Sequence, residues 1–296
     1  MHLKEAKGIL SAHNGMNISR GCTHGCIYCD SRSKCYQINH DFEDVQIKSN
    51  APALLEDTLK RKRKKCMIGT GAMSDPYIAI PENLNNIRTC LEIIEKYGFG
   101  IAIQTKSDLI LRDLDLLVKI NKKSKCIVQT TLTTFNEDLC RIIEPNVCTT
   151  KRRYEVLKIM RDNGIQTIVW LSPFLPFIND TEENLQGLLD YCIETGVYGI
   201  IFWGIGMTLR DGSRDYFYKK LDEHFPGLKS KYQEKYGYKY ELTSDNNNKL
   251  YKLAQSVCKK HNIILGVDNL FKYLSTFELS NEASRAEKTS AQIELF

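Results

Sequence analysis

No stretch of this 296-residue sequence approaches the roughly 18 apolar residues that a membrane-spanning helix requires. Residues 1–19 carry neither the apolar run nor the small-residue cleavage site of a secretory signal. The expected location is therefore the cytoplasm, where thiols stay reduced, and no membrane partner is expected. Eleven cysteines cannot all pair within one chain, so a complete disulfide framework is excluded. Cys35, Cys66, Cys90, Cys126, Cys140, Cys148, Cys192 and Cys258 form no second close cluster. They read as small packed hydrophobes rather than as ligands of an auxiliary metal centre. Internal repeats are also missing. The net charge of +5 is modest and does not by itself establish a nucleic-acid partner. Its densest concentration, Lys60 to Lys65, precedes an apolar strand-like run and reads as a solvated helix end whose cations complement the helix dipole.

What the sequence does contain is a rhythm. Apolar strand-like runs at residues 16–19, 67–70, 100–105, 126–132, 167–171 and 199–203 alternate with helix-length amphipathic segments. Leu84, Ile87, Leu91 and Ile94 recur at helical spacing, as do Leu185, Leu188, Leu189 and Cys192. This pattern predicts an α/β fold, a partial (β/α)6 TIM-type barrel, with chemistry at the carboxyl ends of its strands. Loops that follow strands, such as residues 21–30 and 71–77, then lie on the active face, whereas the basic run at 60–65 faces away. The barrel is expected to occupy residues 1–210. From about Asp211 the composition shifts to Tyr and Lys, which predicts a helical C-terminal extension over 211–279, packed on the barrel. The polar segment 280–296 reads as a mobile tail.

The motif that carries chemistry is Arg20-Gly-Cys-Thr-His-Gly-Cys-Ile-Tyr-Cys-Asp30. Cys22, Cys26 and Cys29 are close enough for one loop to wrap a cubane, with Gly21 and Gly25 permitting the tight turns. Three thiolates hold three irons and leave the fourth open to a non-protein ligand. A zinc site is the alternative, but zinc sites favour paired Cys-x2-Cys units or added histidines, and only His24 is near.

With the aromatic Tyr28 inside it, Cys22-x3-Cys26-x2-Cys29 resembles the signature of the radical S-adenosylmethionine (SAM) superfamily. The resemblance implies a 4Fe-4S cluster whose open iron is chelated by SAM, and an electron donor protein. Reductive cleavage of SAM then yields a 5'-deoxyadenosyl radical. Further stretches, Gly71-Ala-Met-Ser-Asp-Pro-Tyr77, Thr105-Lys-Ser107, Glu144-Pro145, residues 172–180 and Gly206-Met-Thr-Leu-Arg210, are similar to the spore photoproduct lyase-like branch, described as DNA repair photolyases. That likeness implies that Ser74 and Asp75 accept from the SAM amino group and that Lys106 pairs with its carboxylate. Tyr28 belongs with the cofactor-binding residues, and Thr131 and Thr133 are candidates to meet the ribose. The hydrogen-donating cysteine of the lyase would fall beside Ser74, where this chain has Met73, and a thioether has no such hydrogen to give. Cys140 and Tyr77 are the candidate substitutes. Tyr77 is expected over the mouth of the site because Pro76 sets the direction of the chain.

These readings converge on a radical SAM enzyme acting on nucleic acid, such as a DNA lesion or modified base. The same chemistry on a peptide or small metabolite is the alternative, and a non-catalytic metal-binding adaptor is a third. The C-terminal Gln292-Ile-Glu-Leu-Phe296 resembles the short motif by which bacterial replication and repair proteins bind the sliding clamp, with Gln292, Ile293, Leu295 and Phe296 as anchors.

Overall fold

Apolar side chains on successive strand residues face opposite ways, and here both faces are covered. Ile101 and Ile103 join one buried cluster, while Ala102 between them joins another. The computed structural model describes residues 1–279. The expected mobile tail and its docking residues Gln292, Ile293, Leu295 and Phe296 lie outside the described residues.

Twelve strands are found among the described residues: β1 (His2–Lys4), β2 (Gly15–Met16), β3 (Ser19–Arg20), β4 (Gln46–Lys48), β5 (Met67–Thr70), β6 (Gly100–Gln104), β7 (Cys126–Thr131), β8 (Gln166–Trp170), β9 (Gly199–Ile201), β10 (Gly206–Thr208), β11 (Glu241–Thr243) and β12 (Ile264–Leu265). The helices are α1 (Ala51–Arg61), α2 (Pro81–Lys96), α3 (Leu114–Lys123), α4 (Glu137–Ile143), α5 (Thr150–Asp162), α6 (Glu182–Thr195), α7 (Ser213–His224), α8 (Leu228–Tyr236), α9 (Asn247–Lys260) and α10 (Val267–Ser275). The central sheet has seven strands in the order β12-β9-β8-β7-β6-β5-β2, all parallel. Each strand is added beside its predecessor, as in a barrel that stops before closing. Separately, β1, β4 and β3 form a small sheet, and β10 pairs antiparallel with β11.

The expected α/β partial barrel is present, with two differences. The run predicted at 16–19 splits: Gly15–Met16 joins the central sheet, whereas Ser19–Arg20 turns away to pair with β4. The chain beyond Asp211 is not helical throughout, since it supplies β11 and also β12, which extends the central sheet beside β9. Two-residue β12 is too short to show a strand period, which hid it in the sequence.

Outside the sheet, Ile68, Ile101, Ile103 and Val128 pack with Leu55 and Leu59 of α1, Ile87, Leu91 and Ile94 of α2, and Leu117 and Ile120 of α3. Inside, Met67, Ala102, Ile127, Ile168 and Ile201 meet Leu270 and Leu274 of α10. Gly199 permits this approach, because a Cβ there would stand 2.5 Å from Leu270 Cδ2 and 2.9 Å from the Ile264 carbonyl. Lys125, at the amino end of β7, donates from Nζ to the carbonyls of Tyr273 (3.0 Å) and Thr276 (3.1 Å), so a cation closes the carboxyl end of α10. Tyr198, at the amino end of β9, stacks on Tyr273 with ring centroids 4.0 Å apart. Helix α10 thus fills the lower interior, and the space that remains lies at the carboxyl ends of the strands.

Candidate active site

The loop carrying the three cysteines is pinned on both flanks. Cys22 N donates to the Phe42 carbonyl (2.9 Å), Ile27 N to the Ile143 carbonyl (3.0 Å) and Asn146 N to the His24 carbonyl (3.1 Å). Gly21 and Gly25 both have positive φ, at 86° and 71°. A Cβ on Gly21 would lie 2.4 Å from the Phe42 carbonyl oxygen, and one on Gly25 would press on Pro145 and Asn146. The glycines are therefore required where the loop crosses its supports.

Cys22, Cys26 and Cys29 line a cavity of about 710 Å³ together with Tyr28, Ser74, Asp75, Lys106 and Thr131. This size is ordinary for a small-molecule site, for which roughly 300–1,000 Å³ is typical. Among the described residues no three His, Cys, Asp or Glu side chains are grouped to hold a single ion. A cubane asks for something else, one thiolate at each of three separate irons. Burial, and then Asp75, pushes the Cys22 thiol up to about 12, and burial likewise raises Cys26. A bound metal reverses that preference by deprotonating the sulfur directly.

The acidic and basic groups around the thiols are arranged by the strand ends. Asp75 accepts from Tyr77 N (2.8 Å), Thr105 Oγ1 (2.6 Å) and Lys106 N (2.9 Å), and so ties the end of β5 to the end of β6. His24 is buried with Nδ1 3.5 Å from Asp75 Oδ2, and burial moves its pKa downward against the pull of Asp75. Ser74 donates to the Gly21 carbonyl (2.6 Å) and lies 3.0 Å from Ser19 Oγ. The Lys106 ammonium lines the cavity and forms no ion pair among the described residues. Burial alone would lower its pKa, but the acidic groups of Cys26, Glu144 and Asp75 outweigh burial and hold it above the ordinary lysine value. An unpaired, shielded cation beside three thiols fits a carboxylate-bearing ligand.

Beneath the loop lies a buried ion pair that sequence reading missed. Arg153 of α5 lies 2.6 Å from Glu144, and neither is more than 1 % exposed. Arg153 also donates to the carbonyls of Thr131 (3.0 Å), Lys106 (3.2 Å) and Cys148 (2.7 Å). Glu144 accepts from the Tyr28 hydroxyl. Burial opposes its charge, yet Arg153, then Lys106 and Tyr28, keep Glu144 below the usual carboxylate range. The stretch Glu144-Pro145 stood out in the sequence, but nothing in α5 marked Arg153.

Three expected site residues lie elsewhere. Tyr77 is fully buried among Ile68, Ile87 and Ile103, because the Asp75 carboxylate captures its backbone N–H and turns the chain inward. It does not stand over the mouth. Cys140 lies behind the loop, with Sγ 3.7 Å from Glu144 Oε2 and 3.5 Å from Thr150 Oγ1, and does not reach the cavity lining. Thr133 is past the end of β7, where its hydroxyl meets Thr134 and its carbonyl accepts from Asn179 and Asn184. Of the two threonines only Thr131 lines the cavity.

Both tryptophans of the chain end at this cavity. Trp170 terminates β8, held by a 2.9 Å bond from Nε1 to Gln129 Oε1, and Trp203 follows β9 with 54 % of its surface exposed. Their ring centroids are 5.2 Å apart, and Phe271 of α10 lies 5.9 Å from Trp170. In the sequence they read only as strand residues, although a large aromatic at a strand's carboxyl end was a usable signal.

A model of the Radical SAM superfamily matches residues 16–192. The chain belongs to this superfamily. The likeness spans the cysteine loop and the strands from β2 to β8, and membership implies a 4Fe-4S cluster and SAM. An uncharacterized protein of Mycobacterium bovis is 28 % identical over 229 residues, 75 % of this chain and 66 % of its own length. One of Methanocaldococcus jannaschii is 34 % identical over 164 residues, 55 % of this chain and 60 % of its own. The radical SAM chain thus spans just under two thirds of these relatives. Spore photoproduct lyase complexed with dinucleoside spore photoproduct superposes with a TM-score of 0.63 at 12 % identity, over 89 % of this chain and 80 % of that one. The radical SAM methyltransferase TsrM of Kitasatospora setae gives 0.51 at 14 % identity, over 66 % and 34 %. At these identities the likeness is one of fold.

Proposed function

We propose that this radical SAM enzyme acts on nucleic acid, on a damaged or modified base. The observation that supports this reading most is the aromatic wall: Trp170 and the exposed Trp203 line the cavity that holds the three thiols, and Phe271 packs against both rings. Flat aromatic faces accept any base by stacking, at about 1–3 kcal/mol each.

In this reading Cys22, Cys26 and Cys29 hold the 4Fe-4S cluster, which together with SAM supplies the 5'-deoxyadenosyl radical. Lys106 pairs with the SAM carboxylate, because it is the unpaired cation of the cavity. Ser74 Oγ gives its proton to the Gly21 carbonyl and keeps lone pairs for the SAM amino group, while Asp75 already takes three N–H or O–H donors and contributes mainly charge. Thr131 is left to meet the ribose.

Met73 is half-buried at the cavity wall and has no S–H bond to give. Splitting of a base dimer with a thiol at that position is therefore not the reaction proposed. Tyr36 and Tyr240 are phenols that line the cavity, and burial with a bond to Asp30 pushes Tyr36 up to about 12, so it keeps its proton at neutral pH. They replace Tyr77 and Cys140 as groups able to return a hydrogen.

The test is anaerobic reconstitution with iron, sulfide, reductant and SAM. 5'-Deoxyadenosine should form, Cys26→Ala should form none, and single- and double-stranded DNA should bind with a marked salt dependence. DNA binding that is absent at low salt removes the nucleic-acid reading while leaving the radical chemistry intact.

A further inference from the structure

Beside the thiol-lined cavity lies a second cleft of about 530 Å³, whose lining includes Lys4, Lys7, Arg20 and Lys48. Glu5 is its single acidic lining residue. Met73 and Tyr36 line both spaces and form the wall between them. The cleft is built on the small sheet, with Lys4 from β1, Arg20 from β3 and Lys48 from β4.

Some cations on this protein are matched to carboxylates, such as Lys60 to Glu56, Lys229 to Asp222 and Lys249 to Glu182. The four in the cleft form no ion pair among the described residues. Arg20 spends Nη2 on the Tyr36 carbonyl at 2.7 Å, which fixes the guanidinium without neutralising it. Lys48 is half-buried, and burial together with the Arg20 charge moves its ammonium pKa downward, the response of a cation lacking a counter-charge. Four clustered cations repel one another, and an anion seated among them relieves that repulsion. The one anionic group of S-adenosylmethionine, its carboxylate, is assigned above to Lys106, which leaves the substrate as the source of an anion for this cleft.

We infer that this cleft binds the backbone phosphates of the nucleic-acid strand next to the base that enters the thiol-lined cavity. The inference rests on the nucleic-acid reading above and assigns that substrate its path: base past Trp203, phosphates across Met73 and Tyr36 onto the small sheet. The run at residues 60–65 takes no part, since it lies before β5, at the opposite end of the strands from the cavity.

The experiment measures affinity of the reconstituted holoenzyme for a short single-stranded DNA between about 50 and 200 mM salt. Lys7→Gln/Lys48→Gln should weaken binding and flatten the slope of log affinity against log salt by about 1.4, at about 0.7 per phosphate contact on a single strand. The exposed pair Lys4→Gln/Lys7→Gln repeats the test without touching half-buried Lys48, and thermal melting confirms folding. Lys62→Gln/Lys64→Gln removes the same charge at the far end and should leave the slope unchanged. A neutral methylphosphonate linkage beside the reacting base should cost the wild type affinity and cost the cleft variants little more. Equal flattening by the cleft and far-end pairs, or no flattening by either cleft pair in a DNA-binding wild type, overturns the cleft while the nucleic-acid reading stands. A wild type that binds no DNA overturns both.

Discussion

Arg153 Nη1 lies 2.6 Å from Glu144, and through this pair one helix holds the ends of two strands and the floor of the cysteine loop. The guanidinium reaches the carbonyls of Lys106, Thr131 and Cys148, and the carboxylate takes the Tyr28 hydroxyl. Lys106 and Thr131 thus keep their positions because their own carbonyls are clamped from behind.

Breaking that pair from one side leaves an uncompensated buried charge. Arg153→Met should destabilise the protein by about 3–5 kcal/mol. Arg153→Lys should remain destabilised, because an ammonium cannot span three carbonyls and a carboxylate as the planar fork does. Denaturant unfolding of the metal-free protein measures both, and an Arg153→Met stability within about 1 kcal/mol of wild type would contradict the clamp.

Lys106 is predicted to act on SAM binding and not on cluster assembly. Lys106→Met should retain iron and its visible absorbance while weakening SAM by about 2 kcal/mol or more, roughly 30-fold. Calorimetric titration of the reconstituted protein reads the change. Unaltered SAM affinity would remove Lys106 from the carboxylate.

The packing of α10 inside the barrel is tested at Gly199. Gly199→Ala forces a methyl group against Leu270 and the Ile264 carbonyl and should cost about 1–3 kcal/mol. Leu270→Ala alone should cost about 2–5 kcal/mol through the cavity it leaves. The two changes touch, so the double variant should lose less than their sum, and strict additivity would argue against the contact.

Trp203 is 54 % exposed and packs only its inner side on Trp170 and Phe271, so its removal should cost little stability and act mainly on substrate. Trp203→Ala should weaken single-stranded DNA by about 1–3 kcal/mol with an unchanged salt slope, which separates stacking from charge. Tyr238→Ala, which removes an aromatic that is 95 % exposed and outside the cavity lining, serves as the control. A melting temperature that falls with Trp203→Ala would recast the residue as core.

Much of this architecture is written locally. The run at 67–70 is β5 residue for residue, and 100–105 and 126–132 differ from β6 and β7 by a single residue at the end. Pro81 at the first turn of α2, the Thr181 cap of α6 and Gly196 past its end mark boundaries that neighbouring residues alone dictate. Tyr77 shows the limit. Proline does set the chain's direction at Pro76, but the Asp75 carboxylate bonds Tyr77 N and sends the ring into the core, and that carboxylate is positioned by Thr105 and Lys106, just past the end of β6.

The sequence by itself determined the alternation of strands β5 to β9 with the helices between them and the three-thiol loop, because hydrophobic period, caps and a compact cysteine spacing are properties of contiguous residues. Only the tertiary structure decided that Arg153 lies under the loop, that α10 occupies the barrel interior, that both tryptophans face one cavity, and that four lysine and arginine side chains from three strands and a loop surround a neighbouring cleft. Each of these unites residues far apart along the chain. Such meetings follow from strand register and helix packing, which no local pattern encodes.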